Sequence, residues 1–306
     1  MLHRMMLWGG RNTFKRHAVK ITMNVTSSNM NVMSSTLSNM LSKDVQKKVI
    51  IHTNTAEQAS RIAEEVNLAN DVKSLFKGDT MLIIGDQHPE VKHHSAQKFT
   101  MEMTSDEVQS ALKSNQFHPR VLVATSSCIG AGLDCAFVCG VVRIGFPTSI
   151  LNLAQEMGRC GRNRSNNGSS PTDHFILILT LNDCVYLHER LFTNVDETAM
   201  NHPSRIISYE MQRNKQLDDL LSVLQLLFLN QSCWHRSLET IVGHLLESEG
   251  DPSDACVAAC PACCGNVVNQ LIMPARRDGV KSFLNHAFMR NDRNDELPEH
   301  VVKKLK

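Results

Sequence analysis

Hydrophobic residues occur along the first two thirds of the chain as short continuous runs, separated by longer stretches of mixed polarity. The five clearest runs are Val49 to Ile51, Met81 to Ile84, Val121 to Ala124, Val141 to Ile144 and Phe175 to Leu179. Runs that are this short and apolar at every position are typical of strands covered on both faces. The pattern therefore predicts an α/β fold built on a parallel sheet.

Helical periodicity fills the gaps between these runs. After the first run, apolar residues recur every three or four positions, at Ala56, Ala59, Ile62, Ala63 and Val66. This spacing predicts a helix, with Asn54 as its cap and Glu57 as the capping partner. Thr104 with Glu107 predicts a capping box that opens a second helix up to Leu112.

The pattern changes in the last third of the chain. Apolar residues there fall on one face of an amphipathic helix, at Leu217, Leu220, Leu221, Leu224, Leu227 and Phe228. We therefore predict an α/β lobe over residues 19–194 and a smaller helical module over 195–270. A basic start (1–18) and a charged tail of mixed sign (271–306) flank them.

Composition excludes several classes of protein. The 306 residues are 42% hydrophobic and 21% charged, which is ordinary for a globular chain and rules out collagen and a disordered tail. Lys plus Arg (32) balances Asp plus Glu (31), so the net charge of +1 gives no global signal for a polyanion partner. No apolar run approaches the roughly 18 residues that a membrane span needs.

The stretch from Arg120 to Arg164 carries most of the candidate chemistry. Its first strand ends in Thr125 and two serines, and Gly130, Gly132 and Asp134 follow. Such a loop leaves backbone N–H groups and hydroxyls accessible to a phosphate. An ordinary turn would have the same composition, so both interpretations stay open here.

A helix that Ser149 can cap follows in the same stretch. Gln155, Arg159 and Arg162 lie at i, i+4 and i+7, which would stack them on one helical face. Two arginines beside flexible glycines suit stabilisation of charge on a transferred phosphoryl group. A solvated basic helix end is the alternative.

Together these segments resemble a known family. ATSSCIGAGLD followed by FPTSILNLAQEMGRCGR resembles the fifth and sixth motifs of superfamily-2 helicases, and QExGRxGR with FPTS upstream resembles the RecQ-like DNA helicases. The resemblance implies a second RecA-like lobe. In it Arg159 and Arg162 are candidate arginine fingers, and Gln155 contacts the nucleotide or the other lobe.

The resemblance also implies a nucleic-acid side. Thr125, Gly130 and Gly132 would belong to the loop coupled to DNA, and Asp134 would tie that loop to the ATP site. KVIIHTNTAEQASRIAEEV resembles the motif that opens this lobe. Its Thr53 and Asn54 stand at the strand end where the family can touch the DNA backbone.

Ten cysteines are distributed unevenly. Five are scattered as thiols of a reducing compartment, whereas the others are Cys233, Cys256, Cys260, Cys263 and the adjacent Cys264. Four thiolates in such a cluster can close a tetrahedral structural zinc site, with reduced core thiols as the alternative. CWHRSLE resembles the entry to the zinc subdomain of RecQ-like helicases. Whether Cys263 or Cys264 is the fourth ligand stays open.

The chain departs from the family pattern in several places. Four residues rather than three separate Thr125 from Gly130, and 22 residues separate Cys233 from Cys256. Nothing resembles GxxxxGK[ST], and Asp106 to Gln109 only mimics a metal-binding DExH box. The first 43 residues lack Asp and Glu, as in a transit peptide. RNTFKRHAVKITMNV, however, resembles the connector and first strand of the second lobe, which favours a helicase that begins mid-protein.

Three functional hypotheses follow. The resemblance implies the C-terminal motor half of an ATP-dependent 3′–5′ DNA helicase of recombination and repair, acting on single-stranded or forked DNA. It would carry structural Zn²⁺, use ATP and Mg²⁺ only with an N-terminal lobe, and reside in the nucleus or, alternatively, the mitochondrion. The second hypothesis is a non-catalytic nucleic-acid-binding or scaffold protein, and the third a gene remnant.

Overall fold

The computed structural model describes residues 19–25, 29–41, 46–73, 79–114, 117–129, 133, 135, 137–160, 173–179 and 183, and single residues or pairs between 211 and 238. Six strands run through this part of the chain: β1 (Val19–Val25), β2 (Lys48–Thr53), β3 (Thr80–Ile83), β4 (Val121–Thr125), β5 (Val138–Ile144) and β6 (Asp173–Leu179). Five helices connect them: α1 (Asn29–Leu41), α2 (Ala56–Lys73), α3 (Pro89–Thr100), α4 (Ser105–Ser114) and α5 (Ile150–Met157).

The six strands form one sheet in the order β1-β6-β5-β2-β4-β3, and every adjacent pair is parallel. The five strands expected from apolar runs are β2 to β6, so the predicted parallel α/β sheet is confirmed. In β2, β4 and β5 every residue is buried, whereas β3 at one edge is only half-buried. Continuous burial in the central strands explains why their sequences lack the alternation of a half-exposed strand.

Alternate residues of each strand face two separate layers of helices. On one face, Val49, Ile51 and their equivalents in β4, β5 and β6 pack with α1 and α2. On the other face, Ile50, Leu122 and Phe175 pack with Phe99 of α3 and with α5. The side-chain period of two in a strand places neighbouring residues on opposite faces. The result is a sheet covered on both sides.

The helix starts bear out two of the three predicted caps. Ser149 accepts a hydrogen bond from the Asn152 N–H at 3.1 Å and opens α5. Thr104 and Glu107 form the reciprocal capping box of α4, since Thr104 N donates to Glu107 Oε2 at 2.7 Å and Glu107 N donates to Thr104 Oγ1 at 3.3 Å.

The predicted cap of α2 is wrong by one residue. Thr55 Oγ1 accepts from the Gln58 N–H at 3.1 Å, and Gln58 Oε1 accepts from the Asn54 N–H at 3.3 Å. The helix therefore starts on Thr55 and Gln58 instead of Asn54 and Glu57. This releases the Asn54 side chain for a different contact, described below.

Two buried cations lie at the edge of the sheet where the strands begin. Arg120 donates from Nη2 to the carbonyl of Leu41 at 2.7 Å, and Lys48 donates from Nζ to the carbonyl of Met101 at 2.6 Å. Those carbonyls belong to the ends of α1 and α3, where the helix dipole favours positive charge. Burial lowers the pKa of Lys48. Both cations thus hold helix ends against the amino edge of the sheet.

Five buried apolar residues of the predicted helical module pack directly on the lobe. Val223, Leu226, Leu227, Trp234 and Leu238 are buried in the same hydrophobic cluster as α3 and α5. Leu227 was predicted on the apolar face of this helix; the other five residues of that face lie outside the described residues. Among the helices described, none combines the length and apolarity required to cross a bilayer.

Candidate functional site

The candidate site lies at the carboxyl edge of the sheet, because all six parallel strands end there. β2 is followed by Asn54, β4 by Ser126 and β5 by Gly145. Loops at the carboxyl ends of parallel strands are where open α/β sheets bind ligands. The Ser126 N–H donates to the Thr53 carbonyl at 3.2 Å, so the turns that follow β2 and β4 are joined directly.

A buried arginine outside the predicted site residues organises this edge. Arg143 of β5 has no exposed surface, and its Nη1 lies 3.0 Å from Glu156 Oε1 of α5. It also donates from Nη2 to the Phe146 carbonyl at 2.7 Å and from Nε to the Gly145 carbonyl at 3.3 Å. Burial lowers the pKa of Arg143, and the neighbouring carboxylate of Glu156 opposes that shift.

The same guanidinium contacts the turns after two other strands. Nη2 donates to Asn54 Oδ1 beyond β2, and Nη1 donates to Ser126 Oγ beyond β4. Ser126 Oγ in turn donates to Glu156 Oε1 at 2.6 Å. We call Arg143, Asn54, Ser126 and Glu156 the Arg143 cluster. The three partner side chains of this cluster and the carbonyls of Gly145 and Phe146 together provide one acceptor for each of the five N–H donors of the guanidinium.

His52 lies beside this cluster on the same face of the sheet. Its Nδ1 is 3.9 Å from Glu156 Oε1, and 1% of the residue is exposed. Within the described part of the chain, three buried polar atoms here have no hydrogen-bond partner: the two ring nitrogens of His52 and Glu156 Oε2. Desolvation lowers the pKa of His52 to about 4; Glu156 opposes the shift and the positive charges of Arg159 and Arg143 add to it. The ring is therefore neutral at pH 7.

Gly145 is required where the β5 turn meets the Arg143 cluster. Its φ of +81° belongs to the left-handed region that side chains disfavour. A Cβ there would stand 3.0 Å from Asn54 Nδ2 and 3.1 Å from Asp183 Oδ1. The absence of a side chain allows these two polar groups to approach the turn.

The structure brings Thr53, Asn54 and Thr125 together at the ends of two neighbouring strands. Thr53 and Thr125 are paired across β2 and β4, and both are buried. Their hydroxyls donate locally, Thr53 Oγ1 to the Thr55 carbonyl at 3.1 Å and Thr125 Oγ1 to Cys128 Sγ at 2.9 Å. Ser127 is the exposed hydroxyl of this edge.

The predicted helical face through Gln155 and Arg159 is wrong, because α5 ends at Met157. Gly158 caps the helix, and Arg159 lies in the turn beyond it. Gln155 is exposed, whereas only 6% of Arg159 is exposed. The end of the helix between these two residues places their side chains in different environments.

Arg159 instead supports the glycine-rich segment that follows β4. Its Nη1 donates to the Leu133 carbonyl at 3.0 Å and its Nη2 to the Ile129 carbonyl at 2.5 Å. These two residues flank Gly130 and Gly132.

The remaining predicted site residues lie outside the described residues. They are Gly130, Gly132, Asp134, Arg162, Cys233, Cys256, Cys260 and Cys263. Within the part that is described, no three His, Cys, Asp or Glu side chains are gathered as metal ligands.

A charged residue inside an otherwise apolar strand was the signal that could have identified the Arg143 cluster. Arg143 stands within VCGVVRI, a run that is apolar elsewhere and buried throughout. A buried cation needs an anion or several acceptors nearby, so its position alone calls for partners at the end of β5. Glu156 is the acidic residue in the following helix.

Residues 32–164 match the family model of the helicase conserved C-terminal domain. This segment is a helicase C-terminal domain. It includes β2 to β5, the Arg143 cluster and both buried arginines of the carboxyl edge. A search of the curated proteins found no match.

Three solved structures illustrate what the chain is similar to. Helicase Lhr of Mycobacterium smegmatis bound to ssDNA and AMP-PNP is 17% identical with a TM-score of 0.35, over 58% of this chain and 22% of that one. The C-terminal part of the Fun30 ATPase domain is 11% identical with a TM-score of 0.34, over 50% of this chain and 41% of that one. T. fusca Cas3 with ATP is also 11% identical, with a TM-score of 0.39, over 67% of this chain and 27% of that one. The chain spans less than half of each.

The lowered pKa of His52 predicts how stability depends on pH. Between pH 6.5 and about 4 the unfolded chain binds a proton on His52 that the folded chain does not, so stability falls as pH falls through this window. We expect His52 to make the free energy of unfolding about 2 kcal/mol lower at pH 5 than at pH 8.

Urea unfolding of the full chain and of a His52→Asn variant at pH 8, 6 and 5 measures this contribution. All carboxylates are common to both proteins, so the difference between their pH profiles isolates His52. The variant should lose less stability on acidification. Parallel profiles for the two proteins would contradict a neutral, desolvated His52.

Proposed function

We propose that this chain is the C-terminal motor half of a superfamily-2, RecQ-like ATP-dependent 3′–5′ DNA helicase, which acts in the nucleus on single-stranded or forked DNA. The observation that carries the proposal is the helicase C-terminal domain of residues 32–164, with QEMGRCGR at the end of α5. Its catalytic cycle would need a first lobe that supplies the phosphate-binding lysine and the Mg²⁺ carboxylate.

The nucleic-acid surface in this proposal is the carboxyl edge at the ends of β2 and β4. Asn54 is half-buried and Ser127 exposed there. Hydroxyls, amides and backbone N–H groups of this kind contact phosphates without reading sequence.

The nucleotide surface in this proposal is the segment after α5. Arg162 is the better candidate for an arginine finger, since Arg159 donates to the carbonyls of Ile129 and Leu133. Arg159 then acts on the nucleotide only after those contacts are exchanged. Gln155, exposed on α5, is free of such constraints and is proposed to contact the nucleotide or the other lobe.

A two-lobe protein tests the motor proposal. The full chain is joined to a P-loop-bearing first lobe of a RecQ-like helicase, and ATP hydrolysis is measured with and without single-stranded DNA. Arg162→Ala should lower ATP turnover by about 10³-fold or more, since arginine fingers contribute on that scale. Affinity for DNA should stay within about twofold.

Arg164→Ala, two positions further along the same segment, is the matched control and should retain turnover. If Arg162→Ala keeps its turnover, the finger assignment is wrong. If the two-lobe protein binds DNA but never hydrolyses ATP, the non-catalytic scaffold hypothesis gains the support that the motor hypothesis loses.

A structural zinc site is the second part of the proposal. Cys233, Cys256, Cys260 and Cys263 have the number and chemistry of a tetrahedral thiolate site, and Trp234, next to Cys233, is buried against the lobe. A site there would fasten residues 256–263 to a residue already anchored in the core.

Metal analysis of the purified full chain should find about one zinc per molecule. Removal of the metal by a chelator should unfold the C-terminal module and change Trp234 fluorescence, because binding and folding are coupled in such sites. Cys233→Ser should abolish metal binding, and Cys184→Ser, a cysteine outside the cluster, should not. A metal-free protein with unchanged fluorescence would contradict the zinc proposal.

A further inference from the structure

One buried guanidinium contacts three segments that are far apart in the sequence. Arg143 donates to Asn54, 89 residues away, to Ser126, 17 residues away, and to Glu156, 13 residues away. These partners are the turn after β2, the turn after β4 and helix α5. Within the part of the chain that the structure describes, this is where the strand ends and α5 meet through side chains.

The same edge of the domain holds both surfaces of the proposed function. The turns at Asn54 and Ser126 belong to its nucleic-acid side, and α5 leads into its nucleotide side. A displacement of α5 would move Glu156, and Glu156 holds both Arg143 Nη1 and Ser126 Oγ. The polar contacts therefore transmit a shift of α5 to the turn after β4 without intervening solvent.

A second buried arginine, at the opposite edge of the sheet, provides a comparison for Arg143. Arg120 is also buried, at 2% exposed, and donates to the carbonyls of Leu41 and Lys47 at the opposite edge of the sheet. One of these carbonyls lies at the end of α1 and the other directly before β2. The acceptors of Arg143 include three side chains, from the turn after β2, the turn after β4 and helix α5.

We infer that Arg143, together with Glu156, is a positioning residue that sets α5 against the turns at Asn54 and Ser126 and so couples the nucleic-acid and nucleotide surfaces. The ligands of those surfaces rest on the proposed function; the mechanical link between the three segments does not. The planar fork of arginine is essential to this role, because its five donors point to different segments at once. A lysine keeps the charge but has three donors on one atom.

Amide hydrogen exchange of the full chain tests the link without any ligand. Arg143→Lys should increase exchange together in three separated segments: around Asn54, around Ser126 and along α5. Arg120→Lys makes the same chemical change at an equally buried site, and it should increase exchange at the end of α1 and the start of β4 instead. Changes confined to β5, or the same pattern from both variants, would overturn the inference.

A second variant keeps the test decisive if Arg143→Lys does not fold. Glu156→Gln retains an acceptor but removes the carboxylate, so it should loosen α5 more than the turn at Asn54, which Arg143 contacts directly. Uniform loosening of all three segments, or none, would count against the assignment.

Single-stranded DNA then tests the coupling itself. A labelled oligo-dT bound by the full chain should protect both turns and also α5 from exchange. Arg143→Lys should weaken its affinity by about threefold to tenfold, as expected for one or two misplaced hydrogen bonds. It should also lose the protection of α5. Arg120→Lys should match the native chain in both measurements.

The outcomes separate the two claims. If the native chain does not bind oligo-dT at low salt, the proposed function fails, and the exchange pattern without ligand still decides whether Arg143 links the segments. If the native chain binds and Arg143→Lys shows the same affinity and the same protection of α5, the positioning role is wrong and the proposed function stands.

Discussion

The buried charge of Arg143 is the constraint around which the carboxyl edge of the sheet is arranged. A guanidinium with no exposed surface is stable only if its donors are satisfied and a carboxylate lies close. Meeting that requirement takes Glu156 from α5, two carbonyls from the turn after β5, and Asn54 and Ser126 from the turns after β2 and β4. The relative positions of these elements therefore follow from the chemistry of one side chain.

The two edges of the sheet solve the same electrostatic problem differently. At the amino edge, Lys48 donates to a carbonyl at the end of α3, and Arg120 donates to carbonyls at the end of α1 and directly before β2. At the carboxyl edge, Arg143 is shared among side chains of several segments. The first arrangement stabilises the fold, whereas the second also links the places where an α/β sheet binds ligands.

Strands and caps were predictable because they depend on local sequence. Continuous apolar runs identified β2 to β6, and short hydrogen-bonding patterns identified the starts of α4 and α5. The cap of α2 was missed because Thr55 and Gln58 form the same kind of pair as Asn54 and Glu57, one residue later. Local sequence does not show which of the two pairs caps the helix. The structure decides it, because the Asn54 side chain instead contacts Arg143, 89 residues further along the chain.

Predicting the candidate site required more than local pattern. The motifs led correctly to the helicase C-terminal domain of residues 32–164, whereas the meeting of Thr53, Asn54 and Thr125 at one edge is known from the structure alone. They did not reveal that α5 stops at Met157, which buries Arg159 and separates it from Gln155. They also passed over His52, Arg143 and Glu156, whose importance depends on three-dimensional packing of residues from different strands.

The interaction energy between Arg143 and Glu156 tests this account most directly. It is obtained from urea unfolding of the native chain, Arg143→Met, Glu156→Gln and the double variant. Either single change leaves a buried charge without its counter-charge, so each should cost about 3 kcal/mol or more, while the double change should cost much less than their sum. We expect a coupling energy of about 2 kcal/mol or more. Additive costs, within about 0.5 kcal/mol, would contradict the claim that this pair organises the edge.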